Sequence, residues 1–447
     1  MRHGKRGLSQ TRNVLFLARS GRESKIKARA RLLVFRSQSL FAPWPSPSEL
    51  IPYGEDNVLS QPLITLSPKG AAWWRRGHPW VYRDDLLPGQ AAEAGDIVAV
   101  QDHQGRFLGQ AFYSAASRLA LRRLTLNAAP IDEAFWADRL QQALSFRQRV
   151  VRDSTACRLV YAEADGFPGL IVDNYDGHLV LQVHHPGPDR WLACFLDLLR
   201  RLLPVHSITL RNDSDVRRLE DLPLEVKVVY GRLPEALTIR EGDGEFLVDI
   251  IRGQKTGLFL DQRENRLAAA AWAQGEVLDC FSYQGGFALH AARQARQVVA
   301  VEASAAALQI ARENARRQGR DNIDWIQANC FDFLKNAVAA GKRYDMIILD
   351  PPAFAKSRSD RPAALKGYRE LNRRAWQLLK PGGVLVTSSC SYNLAPAEFL
   401  EVLRQAAQEA HRSARIIEYR GAARDHPALL ALPESAYLKC LFAVANS

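Results

Sequence analysis

Three short stretches of the chain hold residue types that could do chemistry together. In VTSSCSYN, residues 386–393, Cys390 stands between serines where an apolar run ends. In YDMIILDPPAF, residues 344–354, Asp350 is followed at once by Pro351 and Pro352. In EVLDCFSYQGGF, residues 276–287, Asp279 precedes the pair Gly285-Gly286, and the next apolar run, QVVAVEAS, closes on Glu302. A cysteine brought beside a carboxylate is equipped for nucleophilic catalysis if its thiol can ionise; otherwise it is an inert core thiol. A glycine turn between two acids is equipped to hold a nucleoside-bearing cofactor.

Each group needs an element to hold it. From about residue 245 apolar runs alternate with amphipathic ones, as a doubly wound α/β sheet requires. EVLDCF, QVVAVE, NIDWIQ, YDMIIL and GGVLVTSS read as strands, ALHAARQA and ELNRRAWQLLK as helices, and Pro381-Gly382-Gly383 as a turn. Such sheets bind ligands beyond the carboxyl ends of their strands. Asp279, the turn from Phe281 and Ser282 to Gly285-Gly286, and Glu302 therefore converge on one crevice, and neighbouring parallel strands bring Asp350 and Cys390 to the same edge. Prolines after Asp350 stiffen that turn, the alternative being a plain strand stop.

Glu302 follows the glycine turn by about 20 residues, the spacing at which an acid takes both ribose hydroxyls. The turn is not G-x-G-x-x-G, which argues against a pyrophosphate cofactor. S-adenosylmethionine, with a sulfonium and an ammonium but no phosphate, fits an acid-bordered turn better. Asn329 and Asp332, in NIDWIQANCFDFL, could reach an adenine edge. Upstream, QKTGLFLDQRENR offers Gln254, Lys255, Thr256 and Phe259 to the cofactor or substrate cleft, while Asp261 and Glu264 read as a capping box for the next helix.

Residues 61–130 read as a small β-rich unit of short strands and turns, with Asp-His-Gln-Gly as a hairpin turn. Basic and aromatic residues interleave in WWRRGHPWVYR, where Arg75, Arg76, His78 and Trp80 could give phosphate contacts and stacking faces; the alternative makes Trp80 and Tyr82 core aromatics and the arginines a solvated face. Residues 131–244 read as an α+β middle domain, opening on the helix IDEAFWADRLQQALSFRQRVV and including a helix, WLACFLDLLRRLL, ended by Pro204. His184, His185 and Cys194 lack metal-ligand spacing, and no metal is expected.

The formal charge of +12 hints at a polyanionic partner, but residues 1–60 hold 11 Lys and Arg against four acids, so more than half of the surplus lies in the tail. That tail reads as disordered, as a transit peptide, as a nucleic-acid-binding arm, or as an upstream extension of a chain whose true start lies near Val58, the reading favoured. Six cysteines without a CxxC pair exclude a disulfide framework, and no apolar run approaches the roughly 20 residues of a membrane span. A soluble, cytoplasmic chain with reduced thiols is expected.

From about Leu63 to its end the chain resembles the bacterial 23S, or large-subunit, ribosomal RNA cytosine-5 methyltransferases, which join an N-terminal PUA domain to a C-terminal class I, Rossmann-like methyltransferase domain. RRGHPWVY, EADGFPGLIVDNY, QKTGLFLDQRENR, LDCFSYQGGFALHA, DPPAFAKS and SSCS carry the resemblance. It implies RNA binding by the β unit, S-adenosylmethionine at Asp279 to Gly286, Glu302 and Asp332, and Cys390 as nucleophile. Another branch of RNA cytosine-5 methyltransferases has a second cysteine after the prolines; here that place is Ala353, so product release needs Asp350, water or another base.

The chemistry explains the thiol. Carbon 5 of cytosine is a poor nucleophile until a thiolate adds to carbon 6 and makes the ring an enamine. A target in a duplex must also leave its stack. Ribosomal RNA or a large-subunit precursor is the implied partner, and a homodimer is one assembly open to the chain. Other classes remain: a methyltransferase of different specificity, such as guanine-N7, or an RNA-binding assembly factor without turnover.

Overall fold

The computed structural model describes residues 61–446 except 90, 91, 356 and 358; the basic tail at 1–60 lies outside the described residues. The chain opens with β1 (Leu63–Thr65), α1 (Pro68–Arg75), β2 (Trp80–Tyr82), β3 (Ile97–Gln101), β4 (Phe107–Tyr113) and β5 (Leu119–Thr125), the strands ordered β1-β3-β4-β5-β2. Strands and turns alone were expected, so α1 is a correction. Ser67 caps it by accepting from the Gly70 N–H at 3.1 Å, and Pro68 supplies a first-turn residue already set to helical φ. The helix turns Trp74 into the core beside Ile64, Val98 and Leu121. Trp74, not Tyr82, is the core aromatic here; Tyr82 is 40% exposed.

The middle segment holds α2 (Glu133–Val150), β6 (Ala156–Tyr161), β7 (Leu170–Tyr175), β8 (His178–Val183), α3 (Pro186–Arg190), α4 (Leu192–Leu202), β9 (Ser207–Asn212) and β10 (Glu225–Gly231). Its sheet runs β10-β9-β8-β7-β6, antiparallel except where α3 and α4 cross over between β8 and β9. Trp136, Leu140 and Leu144 of α2 pack with Val160, Val172 and Leu181 of the sheet.

The hairpin β11 (Leu237–Glu241) and β12 (Gly244–Val248) leads into α5 (Arg263–Trp272), β13 (Glu276–Cys280), α6 (Gly286–Ala291), β14 (Gln297–Glu302), α7 (Ala305–Arg317), β15 (Ile323–Gln327), α8 (Cys330–Ala339), β16 (Tyr344–Leu349), α9 (Arg361–Leu378), β17 (Leu379–Ser389), α10 (Pro396–Glu409), β18 (Ala414–Arg420) and β19 (Lys439–Ala445). The strands order as β15-β14-β13-β16-β17-β19-β18, parallel through β17, with β19 antiparallel to both neighbours. Both faces are covered, so the inner strands carry unbroken apolar runs such as VVAV in β14, MIIL in β16 and VLV in β17. Strand alternation sends Val277, Ala300, Met346 and Ile348 to one core and Leu278, Cys280, Ile347 and Leu349 to the other. The expected Pro381-Gly382-Gly383 turn lies instead within β17, as a bulge where the register slips from Tyr344↔Leu379 to Met346↔Val384.

Buried charge joins the middle sheet to this larger one. Asp425 accepts from Arg263 at 2.8 Å and from the Arg158 N–H at 2.9 Å, while Arg147 reaches the Asp425 carbonyl at 2.9 Å. Removing one partner from such a set leaves an unpaired buried charge and costs about 3–5 kcal/mol. Among the described residues no helix is long and apolar enough to cross a membrane, and no group of three or more His, Cys, Asp or Glu is placed to hold a metal ion.

Candidate active site

The cleft beyond the strand ends is built from three directions. Asp350, directly after β16, and Cys390, directly after β17, line one wall with Pro351 and Pro352. The serines around Cys390 explain themselves as pins. Ser389 and Ser391 each bond the hydroxyl of Tyr368 in α9 at 3.0 Å, and Ser391 also accepts from the Ala355 N–H at 3.3 Å. Beneath them the buried Lys439 ammonium donates to the carbonyls of Ser391, Leu394 and Tyr437 at 2.7, 3.0 and 2.7 Å. Cys390 Sγ sits 4.0 Å from the Pro351 carbonyl.

The second wall is the glycine turn. Phe281, Tyr283 and Gly285 take φ of 64°, 50° and 84°, so the chain doubles back between β13 and α6 and exposes its backbone. A Cβ on Gly285 would meet Trp325 at 2.6 Å, and one on Gly286 would meet Arg266 at 2.8 Å. Only glycine leaves the turn this close to its surroundings. Glu302 accepts from the N–H of Tyr283 at 3.0 Å and of Ser304 at 2.9 Å, which fixes its carboxylate at the cleft edge with lone pairs to spare.

The third wall is the loop before α5. Gln254, Lys255, Phe259, Asp261 and Gln262 all face the cleft. Asp261 and Glu264 form no capping box: the N-cap of α5 is Gln262, without a side-chain cap bond. Asp261 instead takes the Lys255 ammonium at 2.7 Å and the Tyr437 hydroxyl. Neither partner is near it in the helix-start pattern that suggested the cap. Gln262 donates to Asp350 at 2.8 Å and to Ser388 at 3.2 Å while its own carbonyl accepts from Asn265 at 2.6 Å.

The electrostatics separate the acids. Burial, reinforced by the Asp261 charge, pushes Asp350 up to about 6 against the Gln262 bond and the Lys255 charge. Burial and Asp350 push the Cys390 thiol up to about 11, again opposed by Lys255. Burial opposes ionisation of Asp261 too, yet Lys255 and His426 hold it well below the usual carboxylate range. Burial and then Asp350 raise Asp279 well above that range.

Of the residues the sequence singled out, Gln254, Lys255, Phe281, Ser282, Gly286, Glu302, Asp350 and Cys390 share this cleft. Asp279 lies beneath it, on the strand face shared with Val277 and Ala300, its carboxyl fully buried. Gly285, the N-cap of α6, is not part of the lining. Thr256 faces away, donating to Asp173 at 2.6 Å. Asn329 spends its side-chain oxygen capping α8, and Asp332 is exposed on that helix's first turn. Asp261, Gln262, Arg266 and Leu438 also line it; the DQR of QKTGLFLDQRENR was the sequence signal for the first two.

In the N-terminal unit, Arg75 pairs with the buried Asp102, and Trp80 donates its indole N–H to Glu163 of the middle segment at 2.8 Å. Arg76 is exposed, and His78 stacks on the 40%-exposed Trp73 with ring centroids 5.1 Å apart.

The residues present fit S-adenosylmethionine. Glu302 offers acceptors for ribose hydroxyls, the glycine cradle would be filled by any Cβ, and Ser282 Oγ is buried without a partner among the described residues. Comparison with known proteins agrees. Residues 64–126 match a PUA-like domain, and residues 214–441 match the S-adenosylmethionine-dependent methyltransferase family. The chain is 38% identical over 390 residues to the ribosomal RNA large subunit methyltransferase I of Shewanella denitrificans, a match covering 85% of this chain and 98% of that protein. It is 39% identical over 377 residues to the protein of the same name from Aeromonas hydrophila, covering 82% and 95%. The crystal structure of SMU.776 complexed with SAH is similar in fold, with a TM-score of 0.75 at 20% identity over 86% of this chain and 99% of that one.

Proposed function

We propose that this chain, which belongs to the S-adenosylmethionine-dependent methyltransferase family and to the ribosomal RNA large subunit methyltransferase I proteins within it, methylates carbon 5 of a cytosine in large-subunit ribosomal RNA through a covalent adduct on Cys390. One observation carries the reading: a cysteine and a carboxyl raised to about 6 line the cleft that Glu302 and Gly286 also line. A guanine-N7 or small-molecule methyltransferase has no use for that thiol.

S-adenosylmethionine supplies the methyl group, on a sulfonium that leaves as a neutral thioether. The protein supplies the rest. At neutral pH Asp350 is ionised and Cys390 is a thiol, so Asp350 takes the thiol proton as sulfur adds to carbon 6. The displaced electron pair moves through carbon 5 and carbon 4 to N3, where Asp350 returns the proton. Carbon 5 then takes the methyl group and loses its proton to a carboxylate or water, the reforming double bond expels the thiolate, and the N3 proton returns through Asp350 to the sulfur. Moving a proton from a thiol near 11 to a carboxyl near 6 is uphill by about 7 kcal/mol, which the site must offset by stabilising the charge that reaches the base. N3 is an acceptor in cytosine and a donor in uracil, so Asp350, once it holds the Cys390 proton, can donate to N3 of cytosine but not to the N3–H of uracil.

The N-terminal unit is the RNA-holding part in this reading, with Trp73, His78 and Arg76 as its accessible stacking and phosphate contacts. The test is to map methylated cytosines in large-subunit RNA from cells with and without the protein. One site that vanishes with the gene and returns with the wild type but not with Cys390→Ala is expected; methylation restored by Cys390→Ala, or a lost methyl on a purine, rejects the reading.

A further inference from the structure

We infer that Lys255 is a catalytic residue of this transfer: its ammonium donates to O2 of the target pyrimidine and stabilises the negative charge that arrives as Cys390 adds. The inference rests on the cytosine-5 reading. Addition at carbon 6 sends an electron pair to N3, and resonance shares it with O2; Asp350 serves N3, which leaves O2 in need of a donor.

Among the described residues two cations line the cleft, Lys255 and Arg266. Arg266 is occupied, with Nε and Nη2 on Glu241 at 2.7 and 2.5 Å and Nη1 on the Phe259 carbonyl at 2.9 Å. Lys255 spends one N–H on Asp261, lies 4.5 Å from the centre of the Phe259 ring, and leaves 39% of its side chain exposed. Of these two, it is the cation with donors to give a ligand. Its charge also opposes the upward push on both Cys390 and Asp350.

The backbone shows that its position is imposed. Lys255 has φ +53°, a left-handed conformation that a lysine adopts only when its surroundings over-determine it. On one side the Gln254 N–H donates to the Tyr283 hydroxyl of the glycine turn at 3.0 Å. On the other, Thr256 donates to Asp173 at 2.6 Å and shares a 2.8 Å bond with Tyr175, both on β7, and Asp173 is itself held by Arg158 at 2.8 Å. The middle sheet thus braces the loop that aims Lys255, which makes Thr256 a positioning residue.

Single-turnover methylation at saturating S-adenosylmethionine and target RNA tests this, with cofactor affinity measured separately by calorimetry. Lys255→Met should lose roughly 100- to 1,000-fold in rate, the usual effect of removing one donor to a developing oxyanion, with cofactor Kd within about threefold of wild type. Its acid limb should also move to higher pH, because the ionised Asp350 loses a neighbouring cation, but the rate loss should persist on the plateau above the limb; a rate that recovers there overturns the inference. Lys255→Arg should recover at least about tenfold over Met, and Thr256→Val should slow the rate while leaving cofactor affinity unchanged. Should Lys255→Met fail to fold, the Arg and Val variants decide. A Met variant within about threefold of wild type, or a loss wholly explained by cofactor affinity, overturns the inference. If wild-type protein forms no adduct with 5-fluorocytosine RNA, the cytosine-5 reading itself fails; if wild type and Lys255→Met form it equally fast, only the role of Lys255 does.

Discussion

Gln262 donates its side-chain N–H to Oδ1 of Asp350 at 2.8 Å, with its own carbonyl turned to Asn265 so that the amide can face only one way. A neutral donor on a buried carboxylate favours its ionised form. In the proposed mechanism the bond keeps Asp350 able to accept a proton from Cys390 at neutral pH, although burial raises it to about 6.

The pH profile follows. The reactive pair carries one proton, so kcat/KM should rise through about pH 6 as Asp350 ionises and stay level until Cys390 begins to ionise towards about 11. Gln262→Leu removes the donor, leaves burial opposed only by the nearby cations, and should move the acid limb to higher pH. A limb that stays in place in this variant would exclude Asp350 as its source.

Cofactor affinity should depend on the acid at the end of β14. Glu302→Ala is expected to weaken S-adenosylmethionine by about 1.5–3 kcal/mol in a calorimetric titration, because two ribose hydroxyls lose a charged acceptor. Equal affinity in the variant would remove Glu302 from the site.

Stability in acid should report on Glu241. Burial opposes its ionisation, yet Arg266 and His290 hold it at about 2, below its ordinary 4.5. Its contribution is thus complete above about pH 4.5 and lost as pH falls towards 2. Glu241→Gln should cost about 3–5 kcal/mol at neutral pH in a denaturant titration and flatten that acid slope. The cofactor site should weaken with it, since Arg266 lies against Gly286.

RNA contacts and structural aromatics separate in the N-terminal unit. Trp73→Ala should reduce affinity for large-subunit RNA by about 1–3 kcal/mol in fluorescence anisotropy at fixed salt, with unchanged melting. Trp80→Ala should lower the melting temperature instead, since it breaks the bond to Glu163. The opposite pattern would place the RNA surface elsewhere.

What the sequence made legible was whatever is local. β14, β16 and β17 carry continuous apolar runs, VVAV, MIIL and VLV, that lead to Glu302, Asp350 and Cys390, and burial on both faces demands that pattern. Helix α1 escaped because Gly70 and adjacent tryptophans dilute its periodicity, and its cap rests on one serine hydroxyl. Asp261 was misread because a capping box is a local pattern, whereas its partner Tyr437 lies 176 residues away. Asp279 faces the core for a reason visible only once β13 is paired, since Ala300 and Ile348 share its face.

The most direct test is covalent trapping. Fluorine at carbon 5 cannot leave as a cation, so target RNA carrying 5-fluorocytosine should accept the methyl group and then remain bonded to the protein. With S-adenosylmethionine present, wild-type protein should give a denaturation-resistant complex whose peptide map places the RNA on Cys390, and Cys390→Ala should give none while folding and binding cofactor normally. A complex formed by Cys390→Ala, or an adduct mapped to Cys280 or Cys330, would contradict the account.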